Sequence, residues 1–401
     1  MDYASAIQWL YTQLPMYQRV GKAALNSNLD GISKLAKHLG NPHQKFKSVH
    51  IAGTNGKGSS AHMLASVLQQ AGYKVGLYTS PHLKDFRERI RINGIPIDRD
   101  YTLDFVVSNR EFFEKEAFSF FEMTVALAFQ CFASKQVDVA VIEVGLGGRL
   151  DATNIIMPEG CLITNISLDH QQFLGHTRPE IAREKAGIIK SNIPVVVAEH
   201  DAETFPVFKE VASQKNALMR VASMYDYSTD LLGDYQKQNI NGVVSLLHVL
   251  PQFSVSESHI INGLQRVVKN TGLRGRWEII GHQPKIIADV AHNKAGLEVV
   301  LKQLTSLKYD NLHIVFGMVN DKDVGDLITL LPADAIYYLC AAAVPRAMDV
   351  DSLSTYFSNQ KQNYSPYESV KHAYNAALNA ASATDVIFIG GSLFVVSEIL
   401  P

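Results

Sequence analysis

Cysteine is scarce: Cys131, Cys161 and Cys340 are the three in 401 residues, far apart and odd in number. They exclude a disulfide framework and any thiolate metal site with ordinary spacing, and read as reduced thiols. Neither charge sign dominates. With 37 Lys and Arg against 39 Asp and Glu, the net charge of −2 leaves no basic footprint for nucleic acid and no pull towards an anionic membrane. No apolar run approaches the ~18 residues of a membrane span. The stretch from Met1 to Val20 intersperses Asp2, Gln8, Gln13 and Gln18 among its apolar residues. It lacks the basic start and apolar block of a secretory leader, so the expected compartment is the cytoplasm. Internal repeats and low-complexity tracts are missing as well.

What remains is a long, ordinary globular composition, 47% hydrophobic and 19% charged. At about 150 residues per domain the length predicts two or three domains. Strand-like and helix-like runs alternate, which predicts α/β layers. In the first part the expected strands are 48–52, 74–78, 138–144, 161–166 and 194–198, mostly unbroken apolar runs of the kind found in parallel sheets covered on both faces. Residues 89–97 alternate around Asn93-Gly94 and predict a two-residue hairpin. Residues 199–235 are polar and poorly periodic, and predict surface loops with short elements. The turn-rich, basic segment 270–276 reads as a linker, after which strands are expected at 285–290, 312–317, 335–340 and 385–390. The domains are therefore placed at 1–272 and 273–401.

Residues 48–60 read Ser-Val-His-Ile-Ala-Gly-Thr-Asn-Gly-Lys-Gly-Ser-Ser, a β-branched run, a glycine-rich turn and a helix-compatible segment. That order suits a phosphate-binding loop, in which glycines turn N–H groups onto an anion and a lysine reaches the outer phosphates. The spacing differs from the usual G-x-x-x-x-G-K-[ST]. The loop Gly53-Thr54-Asn55-Gly56-Lys57 is short, and Gly58 separates the lysine from Ser59 and Ser60. All of these are candidate nucleotide contacts.

Other strand ends carry further polar groups. Glu143 ends a buried strand before a glycine-rich loop, where the ligand crevice of an open α/β sheet lies, and could hold Mg²⁺. The plainer reading is a salt bridge to Arg149. His170 follows the next strand and is a second candidate ligand. Ser80, after 74–78, is a third, with turn capping before Pro81 as its alternative. Lys185 lies on a helix beside Glu184, and by itself reads as an exposed lysine. In the second domain Asp289 could bind a ribose hydroxyl, and Ser392, in a glycine-rich strand-to-helix turn, would suit a carboxylate ligand.

Together these segments resemble the folylpolyglutamate synthase/dihydrofolate synthase family of the Mur ligase superfamily. Gly53-Thr-Asn-Gly-Lys-Gly-Ser59, Tyr78-Thr-Ser-Pro-His-Leu83, Glu143-Val-Gly-Leu-Gly-Gly-Arg-Leu-Asp-Ala-Thr-Asn154, Arg183-Glu-Lys-Ala-Gly187 and Asp289-Val-Ala-His-Asn293 occur in family order. The resemblance implies a P-loop NTPase-like, mostly parallel N-terminal sheet flanked by helices, and a smaller Rossmann-like α/β domain that binds glutamate. It implies ATP held by Lys57 and the loop amides, with Asn239, Arg276 and Asp289 contacting the nucleotide from across a cleft. Mg²⁺, as two ions, would be bound through Ser80, Glu143 and His170, with a carbamylated Lys185 helping to hold the second and a monovalent cation such as K⁺ alongside. His292 and Ser392 would lie near the incoming glutamate, and Phe120, Phe121, Glu122, Leu150 and Asp151 in the pterin-carboxylate pocket.

The implied reaction adds L-glutamate to dihydropteroate and to the glutamate tail of reduced folates through an acyl phosphate, in a monomer without nucleic-acid or membrane partners. Catalysis would rest on Lys57, Lys185 and His292. Three positions depart from the family pattern. Leu29-Asp30-Gly31-Ile32 stands where Leu-Glu-Arg is frequent, Lys294 where a proline follows the His-Asn pair, and Tyr235 where histidine is common. Three other readings compete. A monofunctional folylpolyglutamate synthase would act on folates alone. A cell-wall Mur ligase would need a larger domain than the 52 residues before Gly53. A non-catalytic nucleotide-binding regulatory module would leave Asp289, His292 and Ser392 unexplained.

Overall fold

The unbroken apolar runs become the inner strands of two sheets. In the computed structural model, which describes residues 1–12, 28–320 and 324–401, the chain divides into two units. Gln13 and Gln18 lie outside the described residues. The first unit is Met1–Asp230 with Gln236–Gly272, the second Leu231–Tyr235 with Leu273–Pro401. No helix among the described residues is long and apolar enough to cross a membrane. The three cysteines are free and buried, and burial pushes each thiol up to about 12.

The first unit holds β1 (Lys47–Ala52), β2 (Val75–Tyr78), β3 (Ile90–Ile92), β4 (Ile95–Pro96), β5 (Val139–Glu143), β6 (Gly160–Ile163), β7 (Val195–Val197) and β8 (Met219–Val221). Their spatial order is β4-β3-β2-β5-β1-β6-β7-β8. From β2 to β8 neighbours run parallel, and β3 and β4 add an antiparallel hairpin. The hairpin turns at Asn93 (φ 47°) and Gly94 (φ 77°), both left-handed as a tight two-residue turn requires. A side chain at 94 would also stand 1.9 Å from the Asn270 carbonyl oxygen. In the centre β1 lies between β5 and β6, with Ile51 opposite Glu143 and Ala52 opposite Ile163. The carboxyl ends of these three strands are therefore neighbours.

The helix Lys57–Gln70 is buried at every position from Ser59 to Leu68, because the helices Gln236–His248, Glu257–Leu264 and Val267–Thr271 pack against it as well as the sheet. Close approach depends on Gly263, where a Cβ would fall 2.5 Å from Val67 Cα. On the other side of the sheet the helix Phe120–Ser134 supplies Phe129 and Phe132, each at most 1% exposed, to an aromatic-rich core cluster. Burying each such side chain contributes roughly 1.5–3 kcal/mol.

The second unit holds β9 (Glu278–His282), β10 (Lys285–Ala288), β11 (Leu312–Phe316), β12 (Ile336–Leu339), β13 (Asn363–Pro366) and β14 (Val386–Gly390), ordered β13-β12-β11-β14-β10-β9. All neighbours are parallel except β9, which is antiparallel to β10.

Three strands that the sequence reading did not expect, β8, β9 and β13, are all sheet edges. An edge strand needs no apolar residue on both faces, and β13, Asn-Tyr-Ser-Pro, carries a proline that an inner strand would not tolerate. Residues 199–235 likewise contain a helix, Phe205–Gln214, seated through Val207, Phe208 and Ala212. The expected strand 161–166 stops at Ile163, because the backbone beyond it leaves the ladder to hold the loop after β1. The linker segment 270–276 begins as the end of the helix Val267–Thr271, which Gly272 stops at φ 67°.

Gly263→Val is expected to destabilise the first unit by about 1–3 kcal/mol or more, since Val67 backbone cannot step aside. Urea unfolding checks this: the midpoint should fall with the m-value unchanged.

Candidate active site

Between β1 and the helix Lys57–Gln70 the chain turns at Gly53 (φ 149°) and Gly56 (φ 83°). Neither position can carry a side chain. A Cβ at 53 would lie 1.8 Å from Thr164 Oγ1, and one at 56 would lie 2.2 Å from Asn239 Oδ1. The loop is strapped to the segment that follows β6. Thr54 N–H donates to the Asn165 carbonyl (2.8 Å) and Asn55 N–H to Asn165 Oδ1 (2.9 Å). Thr164 Oγ1 donates to the Asn55 carbonyl (2.6 Å), and Thr54 Oγ1 bonds both the carbonyl (3.2 Å) and the amide (3.0 Å) of Ser167. Lys57 Nζ reaches back to the carbonyls of Gly53 and Thr54, each at 3.0 Å. Gly58 is half-buried, and Ser59 and Ser60 are buried. Ser59 Oγ accepts from Gln236 Nε2 (3.3 Å), whose own oxygen accepts from Asn239 Nδ2 (2.8 Å). Asn239 thus sits against the loop, in the same unit as Gly53 and Lys57. Gln236, which ties it there, went unnoticed because nothing in its spacing marks it.

Lys185 overturns the reading of an exposed lysine. Its helix, Arg178–Ala186, starts with a Thr177–Glu180 capping box and ends against the loop after β5. A Cβ at Gly187 would lie 2.4 Å from Arg149 Cα, and one at Gly148 would lie 2.9 Å from the carbonyl oxygens of Glu184 and Lys185. That contact leaves Lys185 only 4% exposed, with Nζ 2.9 Å from the Gly53 carbonyl oxygen, the acceptor also used by Lys57. Burial first, and the neighbouring Lys57 charge second, push the Lys185 ammonium down to about 7. The alternative ion pair of Arg149 with Glu143 is also absent. Arg149 pairs with Glu184 at 2.9 Å.

Glu143 is 4% exposed, and its Oε2 accepts the Ser80 N–H at 3.1 Å, so these two candidate metal ligands are adjacent. His170 adopts a left-handed backbone (φ 51°) after β6, with its N–H on Asp169 Oδ1 (2.9 Å) and its ring 3.8 Å from Asp169 Oδ2. Among the described residues no three His, Cys, Asp or Glu side chains gather as a metal cluster. A carboxylate beside a serine is an oxygen-donor pair suited to a hard divalent cation.

Asp151 caps the short helix Ala152–Ile155. It accepts the N–H groups of Leu146 (2.9 Å) and Thr153 (3.0 Å) and the Thr153 hydroxyl. Burial raises its pKa, opposed by these donors. The Phe121 ring lies over Gly145, where a Cβ would be 2.4 Å from it, and Leu150 is half-buried nearby in sequence. Phe120 is 3% exposed, stacked on Tyr11 at 5.2 Å with the Arg89 guanidinium 5.3 Å from its ring centre. Glu122 closes a capping box with Ser119, and its Oε1 fills the space a side chain at Gly31 would need (2.1 Å). The departure at Leu29-Asp30-Gly31-Ile32 therefore has a physical counterpart in Glu122. The sequence reading missed a triad here, in which Arg89 is buried and His82 and Tyr11 are half-buried. Arg89 Nε donates to His82 Nδ1 (2.7 Å), and His82 Nε2 bonds Tyr11 OH (3.2 Å). Burial, then the Arg89 charge, push His82 down to about 3 and keep it neutral. No spacing links residue 11 to residue 82, so only the fold reveals the contact.

In the second unit Asp289 and Ser392 leave the carboxyl ends of the adjacent strands β10 and β14. Asp289 is 2% exposed and accepts from Tyr235 OH (2.6 Å), Trp277 N (2.7 Å) and Ala291 N (2.8 Å). Burial raises its pKa. Tyr235, at the position where histidine is common in the family, thus has a definite role. Arg276 Nη1 donates to the Gly275 carbonyl (3.3 Å), and His292 Nδ1 bonds the Val290 carbonyl (3.0 Å). Ser392 Oγ caps the helix Leu393–Ile399 through Phe394 N–H (3.2 Å). Asn293 caps the helix Lys294–Thr305 by accepting Gly296 N–H (2.9 Å), so the helix start is held with lysine where the family has proline.

Residues 51–257 match the Mur ligase middle domain, and residues 275–393 the Mur ligase glutamate ligase domain. The chain is 34% identical to a probable bifunctional folylpolyglutamate synthase/dihydropteroate synthase of Haloferax volcanii, over 99% of this chain and 50% of that protein. It therefore spans about half the length of that relative, as it does of a second one from Halobacterium salinarum, at 48%. It is 32% identical to the Escherichia coli dihydrofolate synthase/folylpolyglutamate synthase, over 98% of this chain and 94% of that one. Among solved structures, E. coli FolC in complex with DHPP and ADP superposes with a TM-score of 0.87 at 30% identity, covering 100% of this chain and 97% of that one. A bifunctional folylpolyglutamate synthase/dihydrofolate synthase with Mn, AMPPNP and L-glutamate bound gives 0.84 at 28%, with the same coverage.

The depressed Lys185 makes stability depend on pH in a definite direction. Between about 7 and its ordinary value of 10.5 the unfolded chain holds a proton that the folded chain lacks. Folded-state stability therefore rises with pH through that window, and the cost of the buried ammonium is complete below about pH 7. In carbonate-free buffer Lys185→Met should exceed the parent in urea midpoint most at pH 7, with the advantage shrinking towards pH 10. An advantage constant over that range would mean a solvated lysine.

Proposed function

The chain belongs to the folylpolyglutamate synthase/dihydrofolate synthase family of the Mur ligase superfamily, and on that footing we propose that it is an ATP-dependent ligase joining L-glutamate to a pteroate-type acid and to reduced folates. The observation that carries this reading is the buried Lys185 on the Gly53 carbonyl beside Lys57. A nucleotide switch has no use for a desolvated lysine there. The relatives crystallised with DHPP and ADP, and with AMPPNP, Mn and L-glutamate, supply the ligand classes.

A carboxylate is a poor acyl electrophile because oxide would have to leave. Transfer of the γ-phosphoryl group of ATP to the carboxylate oxygen gives ADP and an acyl phosphate. The amine of glutamate then adds to the acyl carbon, phosphate leaves, and the amine loses a proton as the amide forms. The first step needs positioning and neutralisation of charge on the equatorial oxygens. Lys57 swings from its loop carbonyls to the phosphates, and Asn239 lies against the same loop. Glu143, Ser80 and His170 would hold Mg²⁺, which when bound screens phosphate charge. Lys185, which gives up its proton near pH 7, can in its neutral form add its amine to CO₂ with loss of a proton, giving an anionic carbamate suited to a second Mg²⁺, and a monovalent cation such as K⁺ completes the site. Phe120, Phe121, Glu122, Leu150 and Asp151 form the acid-substrate pocket. In the second unit His292 and Ser392 receive glutamate, and Arg276 and Asp289 the nucleotide. The enzyme works as a cytoplasmic monomer.

ADP release with MgATP and L-glutamate, offered 7,8-dihydropteroate and tetrahydrofolate separately, tests the proposal. Turnover on both, with products one glutamate heavier by mass, is expected. Turnover on tetrahydrofolate alone would reduce the activity to polyglutamylation, and none on either would refute it. Glu143→Ala and Lys185→Ala should each lower kcat by about 10²–10³-fold or more with an unchanged far-ultraviolet circular dichroism spectrum. With ¹³C-labelled bicarbonate the parent should show a carbamate carbon resonance that Lys185→Ala lacks.

A further inference from the structure

His50 lies on β1, three residues before Gly53, wholly buried at 0% exposure. Its Nε2 is 2.9 Å from Thr153 Oγ1, and Thr153 Oγ1 is bonded in turn to Asp151 Oδ1. A hydroxyl has one proton to give. If Thr153 gives it to the Asp151 carboxylate, His50 must carry its proton on Nε2 and donate to Thr153. Its bare Nδ1, which has no hydrogen-bond partner, is then only an unused acceptor. If the chain ran the other way, with a protonated Asp151 donating to Thr153 and Thr153 to His50, the imidazole proton would sit on Nδ1 and face no acceptor. A buried unmade donor costs about 1–3 kcal/mol. Burial and the nearby Lys190 push the imidazole down to about 3, so a charged His50 with a proton on both nitrogens is not an alternative.

The geometry points to His50 as a positioning residue for the acid substrate: through Thr153 it holds Asp151 as an acceptor-only carboxylate beside Gly145, which the Phe121 ring also contacts. This rests on the reading of Asp151 and Phe121 as part of the acid-substrate pocket. A carboxylate offers about four lone-pair sites; Leu146 N–H, Thr153 N–H and the Thr153 hydroxyl bond it, and the Gly145 amide also faces it. These donors fix the carboxylate in direction, and as an acceptor it can take an N–H group of a heterocyclic acid. Because His50 belongs to the strand that delivers Gly53, the same side chain also sets Asp151 relative to the strand that feeds the phosphate loop.

The test compares His50→Leu, His50→Gln, Thr153→Val and Asp151→Asn with the parent, reading KM for 7,8-dihydropteroate (or tetrahydrofolate, if that is the acid turned over), KM for ATP, and kcat. His50→Leu and Thr153→Val should raise KM for the acid about tenfold or more and leave KM for ATP within about twofold. His50→Gln, whose amide can still donate to Thr153, should recover to within about threefold of the parent. Thr153→Val carries the test if His50→Leu does not fold. Acid and ATP KM rising together, a His50→Gln as impaired as His50→Leu, or parent-like constants throughout would each overturn the assignment. Asp151→Asn separates the two levels: if it leaves KM for the acid unchanged, the pocket reading itself fails, and if it alone impairs the acid, only the role of His50 falls.

Discussion

Two lysines share the carbonyl oxygen of Gly53, and much of the first unit is arranged to make that possible. Ammonium groups on one acceptor repel each other, and Lys185 is also cut off from water, so its proton is easily lost. Such a group persists only if the backbone on both sides is held firmly. The helix Arg178–Ala186 is fixed at its start by a capping box and at its end by glycines at 148 and 187, which let it touch the loop after β5 backbone to backbone. The Gly53 carbonyl itself is aimed by a turn in which no other residue fits. The arrangement spends folding stability on a reactive amine, a trade found where chemistry requires a perturbed group.

The same rigidity extends across the sheet. Loops leave β1, β5 and β6 at their neighbouring carboxyl ends, and each is tied to another element. The loop after β6 receives the amides of Thr54 and Asn55. The loop after β5 meets the helix that carries Lys185, through Arg149 N–H to the Glu184 carbonyl at 2.8 Å. His50 joins β1 to the β5 loop through Thr153. The glycine-rich loop after β1, the β5 loop and Lys185 are thereby parts of one braced body rather than three independent loops. That suits phosphoryl transfer, in which placement of charge does most of the work.

The inner strands and the glycine-rich turn after β1 were legible because burial on both faces and glycine-rich turns leave strong local marks. Edge strands such as β13 leave none. Nor does burial at a single position. Lys185 lies in Arg-Pro-Glu-Ile-Ala-Arg-Glu-Lys-Ala, where charged residues surround it and no apolar stripe identifies the inward face, so family likeness and not periodicity brought it to notice. Gln236, Tyr11 and Arg89 were invisible for a related reason. Their partners, Ser59, His82 and Phe120, are set by topology, and short polar contacts between distant residues carry no spacing rule. Asp289 was recognisable as a strand-end carboxylate, but the donors around it, Tyr235 OH and two backbone amides, were not.

The tie between Tyr235 and Asp289 also bears on how this chain can be divided. Leu231–Tyr235 belongs with the second unit, although the first unit resumes at Gln236 and ends only at Gly272. The polypeptide therefore passes between units at three places, and the five-residue excursion supplies a hydroxyl to a buried carboxylate 54 residues further on. A gene fragment beginning at residue 273 would encode every strand of the second sheet yet leave Asp289 short of a donor in a site sealed from water. The two units are thus interleaved in the gene, and recombination at a single point cannot exchange one for another without breaking a hydrogen bond that belongs to its interior.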